Sequence, residues 1–163
     1  MLLLLNCGSC SDPKPVSYDM NEIKKQIEED SKTNAKREKK EIEKYVKNNS
    51  WEVKSTGTGL TYLLHDLGSG EKAKVDQIAT IHYSIYLLND SLCYSSIGKE
   101  PARFQIGKAT VETGLHEALQ LMRVGDKANF LLPSHLAHGT FGDRKKIPPQ
   151  TPLRYDVELI SLN

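Results

Sequence analysis

The sequence predicts an α+β domain in which an antiparallel sheet curls over one short helix. Segments between residues 60 and 162 alternate apolar and polar side chains, the period of a strand with one buried face. Among them lies one short stretch, Leu115, Ala118, Leu119 and Met122, whose three-and-four spacing puts the apolar groups on one side of a helix. Neither kind of element can bury its apolar side alone, so the helix must lie against the sheet.

The N-terminal residues stand outside this domain. Residues 1–10, MLLLLNCGSC, read as a targeting segment: a leucine run, small residues, then Cys. They resemble the end of a bacterial lipoprotein signal, in which the Cys becomes the lipidated first residue. Cys10 is the expected anchor because Gly8 and Ser9 precede it; Cys7, behind Asn6, is the alternative, and an unprocessed disordered leader is a third reading. A proline-containing spacer, SDPKPVS, completes the tether at residue 17. Nothing later approaches the roughly 20 apolar residues of a membrane span.

Residues 18–49 change character. They hold no Gly or Pro and are dense in Lys and Glu at helical spacing: Lys24 with Glu28, Glu28 with Lys32, Lys39 with Glu43. The apolar pair Ile23 and Ile27 is separated by a polar run from a second cluster, Ile42, Tyr45 and Val46, too sparse for a sustained coiled coil. A mostly solvated helix is expected, docked by its C-terminal cluster on the domain that follows; a dimerising helix is the other reading. Three units result: leader and tether over 1–17, a charged helical extension over 18–50, and a domain over 51–163.

Within that domain Leu60, Tyr62 and Leu64 mark a strand closed by the turn at Gly68 and Gly70. Ile81, Tyr83, Ile85 and Leu87 mark a second, with a reversal at Asn89 and Asp90. Residues 92–96 and 103–106 are shorter candidates. Gly125 is expected to end the helix, and after the VGD turn Ala128, Phe130 and Leu132 alternate with Lys127, Asn129 and Leu131 until Pro133 stops the strand. The clearest alternation is the last, residues 153–162, with Leu153, Tyr155, Val157 and Leu159 on one face.

Charge and cysteine count exclude several classes. The 163 residues carry a formal charge of +1, which gives no field to attract nucleic acid, and the basic residues of the helix are matched by acidic ones. The three cysteines, Cys7, Cys10 and Cys93, form no disulfide framework, and Cys93 reads as a buried small residue. His135 and His138 form an HLAH pair without a third ligand nearby, so no metal is expected. Ser95 with His138 lacks both a nucleophile-elbow motif and an orienting acid, so nucleophilic catalysis is not expected.

The order of HYSIYL at 82–87, YSS at 94–96, the run ARFQIGKATVETGLHEALQLMRVGDKANFLLPSHLAHG, IPPQTPL at 147–153 and the closing YDVELISL resembles the FKBP-type peptidyl-prolyl cis-trans isomerases from about residue 60 onward. The resemblance implies a twisted half-barrel on one helix and an enzyme that rotates X–Pro bonds in polypeptides without a cofactor. It also implies a pocket. Tyr83, Tyr94, Val111, Ile147 and Tyr155 fall on apolar or aromatic pocket positions, Tyr83 as a hydroxyl near the mouth and Tyr94 and Tyr155 as walls.

Several positions depart from the family pattern. Ser95 stands where an acidic residue is usual, Glu112 where an aliphatic residue offers its backbone N–H, Leu115 where a tryptophan floors the pocket, and His138 where a tyrosine hydroxyl meets the ligand carbonyl. Ala102 lacks the rim aromatic. The resemblance thus assigns Tyr83, Tyr94, His138 and Tyr155 to catalysis and Ser95, Val111, Glu112, Leu115 and Ile147 to substrate binding, in a wider and more polar pocket with weak activity. Without the resemblance, Tyr83 and Tyr155 would read as packing residues. The expected protein is an exported, lipid-anchored, monomeric isomerase of a bacterial cell envelope; a non-catalytic binding module on the same fold is the alternative.

Overall fold

The computed structural model describes residues 19–163 with the exception of Ala109; the expected anchor at Cys7 or Cys10 and the tether lie outside the described residues. Helix α1 runs from Met20 to Asn48. The Asp19 side chain caps it, accepting the Asn21 N–H at 2.8 Å, and Lys47 lies in its last turn, where a cation suits the helix dipole. Glu28 reaches forward to Lys32 (2.8 Å) and Lys39 to Glu43 (4.0 Å), with a further pair, Arg37 to Glu41, at 2.8 Å. All three pairs are solvated, so each adds only about 0.3 to 0.5 kcal/mol. Every residue from 19 to 33 is exposed.

The second half of α1 docks. Ile42 and Tyr45 bury against Leu131, with Val46, Trp51 and Leu88 around them, and the Tyr45 and Trp51 rings meet edge to face at 5.5 Å. This is the expected C-terminal cluster. It also explains why Leu131, at an outward position of its strand, is apolar: α1 covers it, leaving 1 % of its surface exposed. A polar clamp borders the contact. Tyr45 Oη donates to Asp90 at 2.8 Å, Arg154 Nη1 donates to the same carboxylate at 2.5 Å, and the Arg154 guanidinium lies 4.0 Å from the Tyr86 ring centroid.

The charged helix also contributes a buried carboxylate, which its sequence does not announce. Glu38 is 1 % exposed and accepts two hydrogen bonds of 2.7 Å, from the Ser134 N–H and from the Ser134 hydroxyl. A charge taken out of water needs such partners. In return it fixes the start of the loop that follows Pro133.

Seven strands among the described residues form one antiparallel sheet: β1 Lys54–Ser55, β2 Thr61–Asp66, β3 Ile78–Leu87, β4 Leu92–Ser95, β5 Ala102–Gln105, β6 Lys127–Leu132 and β7 Leu153–Leu162. Their order is β1-β2-β6-β7-β3-β4, with β5 also pairing with β3. The two-residue β1 has no periodic signal and went unread in the sequence; it exists through its pairing with Thr61 and Tyr62. The long strands β3 and β7 pair over their whole lengths, which places Ile85 opposite Tyr155 and Tyr83 opposite Val157.

Helix α2, Thr113–Gln120, lies against the inner face, with Gly114, Leu115, Ala118 and Leu119 buried. It ends earlier than the apolar spacing suggests. Met122 lies past the helix yet is fully buried, because the turn after Leu121 bends it back into the core. Gly114 allows the close approach. A Cβ there would stand 2.6 Å from Leu132 Cδ2 and 2.7 Å from the Leu136 carbonyl oxygen. Leu60, Ile81, Phe130, Leu132, Leu153, Tyr155 and Leu159 fill the space between sheet and helix.

Candidate prolyl-binding site

The site lies at one end of this core. β3 brings Tyr83, β4 brings Tyr94, β7 brings Tyr155, the segment entering α2 brings Val111 and Glu112, and its first turn brings Leu115. Two loop residues complete it. His138 sits between the 3₁₀ turns Ser134–Leu136 and Gly139–Phe141, and Ile147 precedes β7. Leu115, Ile147 and Tyr155 are buried in the main core, and Tyr83, Tyr94 and Val111 pack on it half-buried. Six residues separated by up to 72 positions thus share one apolar cluster. A cleft of about 430 Å³ opens beside it, lined by Tyr83, Tyr94, Ser95, Ala102, Cys93 and Lys146 among others. The small side chain of Ala102 leaves this rim open.

The Ser95 hydroxyl is engaged within the sheet. It shares a 2.8 Å hydrogen bond with the Ser84 hydroxyl across the β3–β4 ladder and accepts the Ile97 N–H at 3.0 Å. The acid missing at this position comes from elsewhere. The Tyr94 hydroxyl donates to Asp143, a loop residue that sequence reasoning missed. Asp143 also accepts the N–H groups of Lys145 and Ile147, each at 2.8 Å. Burial would raise its pKa, but these three donors and the nearby His138 outweigh that and hold the carboxyl down at about 2. The same bond pushes the Tyr94 phenol up. Gly142 permits the turn, with φ at +61° and no room for a Cβ, which would fall 2.1 Å from the Ile147 carbonyl oxygen. Lys146 completes the wall: its Nζ lies 5.5 Å from the Tyr94 ring centroid and donates to the Cys93 carbonyl at 2.9 Å. Cys93 is buried, and burial raises its pKa.

Three polar side chains meet at the edge of the apolar cluster. Glu112 occupies the N-cap of α2 but makes no capping bond with its side chain. Its Oε1 stands 2.9 Å from His138 Nε2, with the two side chains 18 % and 25 % exposed. The contact is close but lies outside hydrogen-bond alignment. His138 Nε2 and the Tyr155 hydroxyl are both buried without a well-aligned hydrogen bond, and the Glu112 carboxylate is the polar group that approaches each of them. Burial, and then the charge of Glu112, drives the Tyr155 phenol far above its ordinary pKa, so it remains a donor. The two histidines of HLAH diverge: His135 Nε2 lies 3.1 Å from the Thr58 carbonyl oxygen, away from His138. Among the described residues no three His, Cys, Asp or Glu side chains are placed to hold a metal ion.

The family model for FKBP-type peptidyl-prolyl cis-trans isomerases matches residues 69–160, which run from before β3 into β7 and include every residue of this site. The chain belongs to the FKBP-type peptidyl-prolyl cis-trans isomerase family. It is 40 % identical over 111 residues to the FKBP-type isomerase FkpA of Aeromonas hydrophila, covering 68 % of this chain and 40 % of that protein. A probable FkpA of Neisseria meningitidis serogroup B is 33 % identical over 137 residues, covering 82 % of this chain and 50 % of the relative. The crystal structure of FkpA from Escherichia coli superposes with a TM-score of 0.70 at 30 % identity, covering 86 % of this chain and 64 % of that one. The chain spans about half the length of the curated relatives it matches. The FKBP-type fold expected from the sequence is the one observed.

Proposed function

We propose that the protein catalyses cis/trans isomerisation of X–Pro bonds in polypeptides. The observation that carries this reading is the apolar cluster of Tyr83, Tyr94, Val111, Leu115, Ile147 and Tyr155 bordered by two buried polar atoms without a well-aligned hydrogen bond, His138 Nε2 and Tyr155 Oη, in a chain of this family. Rotation of an X–Pro amide meets a barrier of about 18 to 20 kcal/mol, because the twisted amide loses its resonance. No nucleophile is needed. The catalyst must hold the prolyl ring away from water and offer donors that fit the twisted carbonyl better than the planar one. Tyr94, held by Asp143, supports a rigid wall; Ile147, Val111 and Leu115 supply apolar surface; Tyr83 offers a hydroxyl at the mouth; His138 and Tyr155 offer donors. The backbone N–H of Glu112 adds a further donor for the substrate.

Turnover is expected to be weak. Leu115 presents no aromatic face to the ring, and an aromatic contact adds on the order of 0.5 to 1.5 kcal/mol beyond its burial. Residues 51–163 carry the activity, the helical extension orients the domain, and Cys10 ties a monomeric protein to a bacterial envelope membrane, with extended chains containing proline as its substrates. The leader sequence and the bacterial relatives support the location. The deciding measurement is isomerisation of a short X–Pro peptide. Acceleration above the spontaneous rate, lost in Tyr155→Ala, is the expected result. No acceleration by the native chain or by Leu115→Trp would favour a non-catalytic binding module.

A further inference from the structure

Glu112 has a charge that the helix does not use and that, among the described residues, meets only His138 and Tyr155. At the N-cap of α2 an oxygen-bearing side chain ordinarily accepts a backbone N–H of the first turn, yet this one makes no such bond. Its carboxylate lies instead beside His138 Nε2 and the Tyr155 hydroxyl, at the edge of the apolar cluster and 18 % exposed. The other charged groups around it are already placed. Asp143 is held by Tyr94, Lys145 and Ile147 and acts on His138 from the loop side, and Lys146 is turned to Tyr94 and the Cys93 carbonyl.

The carbonyl that rotates in an X–Pro bond belongs to residue X. The side chain of X is borne on the carbon next to that carbonyl, so an oxygen that meets the donors at His138 and Tyr155 brings it within reach of Glu112, which lies beside both. A carboxylate with little water around it acts strongly at such range, attracting a cation and repelling another anion. Building on the isomerase reading, we propose that Glu112 is a specificity-determining residue whose carboxylate selects polypeptides with Lys or Arg before the proline and rejects those with Asp or Glu. Binding moves the carboxylate off His138 toward the incoming cation, and this frees the imidazole for the substrate carbonyl.

The test uses the full chain and three peptides that differ only in Lys, Leu or Glu before the proline. The native protein should rank them Lys, Leu, Glu in kcat/KM, with about a tenfold span from first to last that narrows in high salt. Glu112→Gln, which keeps the shape of the side chain, should bring the span close to one, and Glu112→Lys should invert it. Turnover with the same ranking in native protein and Glu112→Gln overturns the inference and leaves the isomerase reading standing. If no peptide is turned over, the isomerase reading fails, and the His138 ring signals followed by NMR during titration with the same peptides read selection alone. Tighter binding of the Lys peptide, lost in Glu112→Gln, supports the role of Glu112; equal binding, or none, overturns it.

Discussion

The Tyr94 hydroxyl donates to the carboxylate of Asp143, 49 positions further along the chain, and so ties the short strand β4 to the loop that enters β7. The bond fixes the Tyr94 ring at the edge of the apolar cluster. Ser95, next to it in sequence, pairs with Ser84 instead.

This tie has a pH signature. A carboxyl held at about 2 in the folded chain, below its ordinary value near 3.8, stabilises the fold above about pH 4 and loses that contribution as the pH falls through 2. Asp143→Asn should therefore be less stable than the native chain at neutral pH, by about 1 kcal/mol once solvent screening is allowed for. The difference should shrink between pH 4 and pH 2. Urea denaturation across that range checks it; a constant difference would mean that Asp143 acts through packing rather than charge.

Glu38 sets a second expectation. Glu38→Ala leaves the Ser134 N–H and hydroxyl buried without an acceptor and should cost about 2 kcal/mol, whereas Glu38→Gln, which keeps one acceptor oxygen, should cost less. Glu28→Ala, on the solvated turns, should change stability by no more than about 0.5 kcal/mol. Denaturant midpoints of the three variants give the comparison. Truncation before residue 34 should resemble the Glu28 variant, because residues 19–33 are all exposed.

Restoring aromatic surface should raise catalysis. Leu115→Trp combined with Ser95→Asp is expected to turn over a short prolyl peptide several-fold faster than the native chain, since about 1.4 kcal/mol in the transition state is a factor of ten. Tyr155→Ala should be slower than either. Equal rates for the native and restored chains would show that Leu115 and Ser95 do not limit turnover.

Location is checked by labelling cells with a fatty-acid analogue. The protein should take up the label, and Cys10→Ala should lose it. Label kept in Cys10→Ala but lost in Cys7→Ala would move the anchor three residues upstream.

What the sequence determined by itself is local or ordinal. The alternation of Ile81, Tyr83 and Ile85, or of Leu153, Tyr155 and Val157, records which face of a strand meets the core, because side chains on a pleated backbone repeat every two residues. The spacing of Leu115, Ala118 and Leu119 records a helix face in the same way, and the order of these signals pointed to the family and to the pocket positions. Only the tertiary structure decided what those positions meet. Glu38 reads as one more charge in a solvated run until Ser134, 96 positions away, closes on it. Asp143 reads as a turn residue until Tyr94 reaches it, and Leu131 breaks the polar face of its strand until Ile42 and Tyr45 cover it. Glu112, read for its backbone N–H alone, proves to carry a carboxylate beside His138. Such contacts join residues whose neighbours in sequence are unrelated. They arise from the packing of whole elements, and no repeat along the chain encodes them.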